Sequence, residues 1–165
     1  SVGYDVNMWK KYESIIKSIY DSVSKHNLNL IIKRHPDMAE TDFSPELCSY
    51  LSNAKIKKND KLPILLKNSK IVLSLGISSG ILESQINNNP VISILVDYDM
   101  FGTTEYISNS CYETNMEDFD KILNDVVNNP NSFNNLVRKG RENLKKNIDN
   151  IGFSSRILFD TVKKL

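Results

Sequence analysis

Gly76-Ile77-Ser78-Ser79-Gly80 is the segment of this chain best suited to chemistry. Its pattern, G-x-S-x-G, is that of a nucleophile elbow, with Ser78 as the nucleophile of a hydrolase. Such an enzyme needs an acid and then a histidine after the serine in chain order. Both histidines, His26 and His35, precede Ser78, so the triad is not completed and the hydrolase reading falls. The glycines and lysine of the dinucleotide fingerprint and the P-loop are absent too. An anion suits the segment better. Small residues let backbone approach a ligand, the first N–H groups of a following helix point at it, and the helix dipole favours negative charge. Ser78 and Ser79 add two hydroxyl donors. The same serines also suit plain helix capping, and the sequence leaves both roles open.

Glu83 stands four residues beyond Ser79, one turn further along the same helical face. A carboxylate there can accept from a ribose diol while the helix end holds phosphate; a solvated place in the first turn suits it equally. A second cluster, Lys33-Arg34-His35-Pro36, closes an apolar run. Its cations and imidazole suit a phosphate or carboxylate, and a solvated basic loop is the other reading. Alternation places Lys33 and His35 on one side and Arg34 on the other. Asp97-Tyr98-Asp99 has the form of a metal-binding acidic pair, but Asp118-Phe119-Asp120 repeats it and no neighbouring His or carboxylate completes an octahedral site. No metal and no cofactor are expected. Arg138, Lys139, Arg141, Lys145 and Lys146 are expected to form the solvated face of one helix.

These residues need a frame. Trp9, Tyr12, Ile15, Ile16, Ile19, Tyr20 and Val23 recur at helical spacing and predict an amphipathic helix over 7–26. Strands are expected over 28–33, 54–57, 70–75 and 90–96, with another near Cys111. Ser44 as N-cap and Pro45 in the first turn open a short helix to about residue 52. Further helices are expected over 63–68, from the GISSG turn to about 88, over 116–128, from Pro130 to 147, and over 154–165. The stretch 97–107 reads as a loop. Strands and helices alternate, and the strands are continuously apolar. The expectation is one α/β domain over 1–165, a Rossmann-like parallel sheet with helices on both faces. Ligands of such sheets bind beyond the strand carboxyl ends, where the KRHP and GISSG segments fall.

Length and composition agree with a packed domain: 165 residues, 40% hydrophobic and 25% charged, enough to bury a core. Twenty-one Lys and Arg against 20 Asp and Glu leave a formal charge of +1, which argues against a nucleic-acid partner. No apolar run reaches the roughly 20 residues of a membrane span. Cys48 and Cys111 are far apart and lack metal spacing, so both are expected as free, buried thiols in a reducing compartment. The chain begins at Ser1 with no initiator Met, so a processed form or a piece of something longer is expected.

In order and spacing, these residues resemble the C-terminal half of a GT-B glycosyltransferase. The similarity is to bacterial capsule and surface-polysaccharide enzymes: sialyltransferases and polysialyltransferases with HP and SS motifs, and CDP-glycerol glycerophosphotransferases. The motifs read Lys33-Arg34-His35-Pro36 and Ser78-Ser79, followed by Asn89-Pro90-Val91-Ile92, and the resemblance covers about 7–110. It implies a CMP-, CDP- or UDP-linked sugar or glycerol donor, with its phosphates or cytidine contacted by the HP histidine and the paired serines. Lys33, His35, Gly76, Ser78, Ser79, Gly80 and Glu83 would then be donor-binding, and His35 is also a candidate acid or base.

Ser78-Ser79-Gly80-Ile81-Leu82-Glu83 and Thr103-Thr104-Glu105 are similar to the S-G-G-I-Q-E and T-T-E segments of UDP-N-acetylglucosamine 2-epimerases. That likeness implies phosphate and ribose contacts at the serines and Glu83, and adds Thr103 and Thr104 to the site. The chain departs at Ser79 and Leu82, where the epimerases have Gly and Gln, and KRHP fits the transferases better. Complete enzymes of this architecture have two Rossmann-like halves. The resemblance therefore implies a missing N-terminal half or partner subunit that supplies the catalytic base and acceptor site. It also implies a cytoplasmic location, with peripheral association at the inner membrane face through the full-length protein. The rival expectations are an epimerase-like domain and a non-catalytic nucleotide-binding or docking module, and fold alone does not choose among them.

Overall fold

A computed structural model of the chain describes residues 6–34, 43–76, 78–96 and 109–148, with side chains from Trp9 onward. His35, Pro36, Ile77, Asp97, Asp99, Thr103, Thr104 and the helix expected over 154–165 lie outside the described residues.

Helix α1 (Val6–Lys25) buries Ile16, Ile19 and Val23 along one stripe, and Asn27 turns the chain out of it at φ 55°. Asparagine tolerates that left-handed conformation because its short polar side chain bonds locally. Then follow β1 (Ile31–Lys33), α2 (Pro45–Tyr50), β2 (Lys55–Lys57) and α3 (Leu62–Lys67). Ser44 caps α2, its hydroxyl accepting from the Leu47 N–H at 3.1 Å, with Pro45 in the first turn. The second half comprises β3 (Val72–Leu75), α4 (Ser79–Ile86), β4 (Val91–Ile94), β5 (Tyr112–Thr114), α5 (Met116–Asn128) and α6 (Pro130–Asn147). Asn115 caps α5, and Pro130 starts α6 where its missing N–H costs nothing.

All strand pairs are parallel, as the alternation of strands and helices predicts. Where one sheet is expected, the strands form two: β1 with β2, and β3-β4-β5. On β3, Val72 and Gly76 donate their N–H groups to Pro90 and Ile94 of the β4 segment. Parallel pairing is alternate, so the N–H and C=O groups of Leu73 and Leu75 point the other way, away from β4. No described strand pairs with that edge.

The three-stranded sheet is covered on both faces. Ile92 and Ile94 join Leu73 and Leu75 against Ile19 and Val23 of α1 and Phe119, Leu123 and Val126 of α5. On the opposite face, Val72 and Val91 pack with Ile81 of α4 and Cys111. A smaller core holds α1 to α2 through Ile16, Phe43, Leu47 and Leu51, and Leu75 touches both cores. Helix α6 reaches α4 at Gly140, where a Cβ would stand 2.9 Å from Gln85 Cγ. Gln85 accepts there from Asn143 at 2.9 Å and donates to the Ser110 hydroxyl at 2.9 Å.

Cys111 is buried as expected, and its thiol is pushed up to about 11, first by burial and then by the charge of Glu113. Cys48 departs from expectation and is exposed. Leu47 and Leu51, one turn apart, take the buried stripe of α2, and Cys48 falls beside it. Among the described residues, no helix is long and apolar enough to cross a membrane.

Candidate functional site

The turn after β3 is built around Gly76, at φ +67°. A Cβ there would meet only ordinary contact, Val96 Cγ2 at 3.6 Å, so backbone conformation rather than space selects glycine. The Gly76 carbonyl is gripped from below by two buried hydroxyls, Ser74 Oγ at 2.9 Å and Ser93 Oγ at 3.2 Å. These bonds fix how the chain leaves the sheet and enters α4.

Ser78 is the N-cap of α4, its hydroxyl accepting from the Gly80 N–H at 3.1 Å. The Ile81 N–H is taken by the Ser78 carbonyl at 3.0 Å. The capping role is thus filled by Ser78. It leaves the Ser79 N–H and hydroxyl, exposed in the first turn, as donors available to a ligand. A Cβ on Gly80 would approach the Ser78 hydroxyl to 3.2 Å, so glycine keeps the cap uncrowded.

Ser78, Ser79, Gly80 and Glu83 line one cleft of about 1220 Å³ together with Lys33 and Arg34. Its lining includes Asn29–Arg34, the segment of β1, and Lys70–Leu75, the segment of β3. Lys33, at the end of β1, directs its ammonium to two carbonyls, Arg34 O at 2.5 Å and Lys58 O at 2.7 Å. The side chain so ties the end of β1 to the loop after β2, and an ammonium has three donors, one more than this tie uses. Glu83 is half-buried on the cleft side of α4. Of the residues expected at the site, the structure brings together Lys33, Ser78, Ser79, Gly80 and Glu83. Gly76 sits behind them as the turn's anchor. His35, Thr103 and Thr104 belong to segments outside the described residues.

Sequence reasoning missed the aromatic part of the cleft lining. Trp9, Tyr12 and Phe43 line it beside Arg34. Trp9 and Tyr12 stack at 5.3 Å between ring centroids, Phe43 lies 6.4 Å from Trp9, and the Arg34 guanidinium sits 5.1 Å over the Phe43 ring. Helical spacing identifies Trp9 and Tyr12 as core-facing, and only the tertiary placement of Phe43 and Arg34 shows that they also face a ligand-sized space.

Of the second acidic pair, Asp120 is otherwise engaged. Asp120 accepts from Lys25 at 2.6 Å and bonds His26 at 3.2 Å, tying α5 to the end of α1. The Lys25 hydrogen bond, with its charge and that of His26, holds the Asp120 carboxyl below the usual range. Arg138, Arg141, Lys145 and Lys146 are exposed on α6, and Arg138 pairs with Glu142 at 2.6 Å and Arg141 with Asn88 at 2.7 Å. Set against family models, curated proteins and solved structures, the chain matches none of them.

Proposed function

We propose that this chain is the donor-binding domain of a glycosyltransferase-like enzyme of surface-polysaccharide biosynthesis, taking a nucleotide-activated sugar or glycerol. One observation carries the reading: a single cleft is lined by Lys33, Ser78, Ser79, Gly80 and Glu83. The donors suit phosphate, with the N–H and hydroxyl of Ser79 at a helix N-terminus and the Lys33 ammonium in the same lining. The Glu83 carboxylate, one turn along α4, suits a ribose diol. Leaving-group charge would be stabilised by the helix end and hydroxyls, with no step assigned to a metal. The acceptor and catalytic base belong, in this reading, to a second domain or a partner subunit.

Calorimetric titration of the chain with CMP, CDP and UDP and their sugar or glycerol conjugates tests the proposal. Saturable binding of at least one nucleotide, weakened in Ser79→Ala, is expected. Absence of heat with every one of them would overturn it.

A further inference from the structure

The cleft lining has a chemically distinct part that the phosphate and ribose contacts leave unused. Trp9 and Tyr12, half-buried in the first turns of α1, form a stacked pair on its wall. Phe43 backs Trp9 and is itself buried. Arg34, the first residue after β1, has its guanidinium 5.1 Å from the centre of the Phe43 ring and borders the same space. This group is clamped in place: Glu13 on α1 accepts from both the Ser44 N–H and the Ser44 hydroxyl at 2.8 Å, fixing the residue next to Phe43 against α1. A rigid aromatic wall costs little ordering on binding.

Planar π-surfaces beside a guanidinium, lining the same cleft as the anion donors of α4, suit a ligand of matching polarity. Such a ligand carries a flat heterocycle at one end and negative charge at the other. We propose that Trp9 and Tyr12 form the nucleobase wall of the cleft, with the base stacked on Trp9 and the phosphates directed toward Ser79. The inference rests on the donor-binding reading above and adds to it where the base sits. Stacking is tolerant of base identity, since every base presents a π-face. The wall therefore selects nucleotides over base-free phosphates more strongly than one base over another.

Trp9 is the single tryptophan of the chain, so its fluorescence reports on this wall alone. The test titrates CMP, CDP and UDP against ribose 5-phosphate and pyrophosphate, following fluorescence and calorimetric heat together. The nucleotides are expected to quench Trp9 saturably at the calorimetric Kd, and the base-free ligands to leave it unchanged. Trp9→Leu is expected to weaken nucleotide binding about tenfold or more while sparing pyrophosphate, and Trp9→Tyr to retain most of the affinity. If Trp9→Leu fails to fold, quenching and Trp9→Tyr carry the test. Nucleotides that bind by calorimetry without moving Trp9 fluorescence would overturn the base wall and leave the donor reading standing. No nucleotide binding at all would remove both.

Discussion

The hydroxyl of Ser93, in the middle of β4, donates to the carbonyl of Gly76 at 3.2 Å, across the strand boundary and into the turn that enters α4. Ser74 donates to the same carbonyl at 2.9 Å. A buried serine on a strand is usually a poor use of a core position, but here two of them orient the left-handed turn. Each bond contributes about 1 kcal/mol net, and losing both leaves the carbonyl short of partners. Ser93→Ala and Ser74→Ala are each expected to lower stability by about 1 kcal/mol, and the double variant by at least the sum. Urea midpoints at constant slope measure this; an unchanged midpoint in the double variant would show the anchor is dispensable.

The paired serines of α4 have separable roles. Ser78→Ala removes the cap on Gly80 and is expected to cost about 1 kcal/mol of folding stability. Ser79→Ala leaves the cap intact, so stability is expected to stay within about 0.5 kcal/mol while nucleotide affinity falls by about 1 kcal/mol. Thermal melts and calorimetry on the two variants read the split. Equal losses of stability in both would assign Ser79 to the helix rather than to a ligand.

Gly140 brings α6 against α4. A methyl group there would meet the stem of Gln85, which is buried and bonded at both ends of its amide. Gly140→Ala is expected to destabilise by about 1–3 kcal/mol despite its better helix propensity. Chemical denaturation checks it, and a stabilised variant would mean that the two helices separate at little cost.

Asp120 makes folding pH-dependent at the acid end. Its folded carboxyl titrates below the ordinary value of about 3.9, held down first by the Lys25 hydrogen bond. The stability it adds is complete above that ordinary value and is lost as pH falls through the lower, folded one. The wild-type advantage over Asp120→Asn is expected to be present at pH 6 and to vanish near pH 2. Melting temperatures of the pair across this range decide it, and a constant difference would place the effect in packing rather than charge.

Much of this architecture is written locally. Ser44-Pro45 and Pro130 mark helix starts that the structure reproduces, because caps and first-turn prolines act within a few residues. The helix expected over 116–128 occupies those residues, since its apolar period matches its burial: Phe119, Leu123 and Val126 all face the core. Ser78 and Ser79 were legible as a helix entry, but not the division of labour between them, which depends on where the helix first turns. Lys33 illustrates what spacing does not reveal. Its ammonium is drawn to the carbonyl of Lys58, 25 positions away, by the pairing of β1 with β2. The split of the sheet was likewise illegible, because a three-residue strand such as β1 carries no mark of which neighbour it lacks.

That split leaves a signature in time. Along β3 the amides of Val72 and Gly76 are spoken for by β4, while those of Leu73 and Leu75 look into the cleft. In heavy water the strand should therefore label as a comb, with Leu73 and Leu75 exchanging early and Val72 and Gly76 surviving until larger openings of the fold. Most central strands protect every amide from both sides. This one keeps an edge that no described strand covers, so each ligand lodged in the cleft against β3 would announce itself as slowed deuterium uptake at every second position.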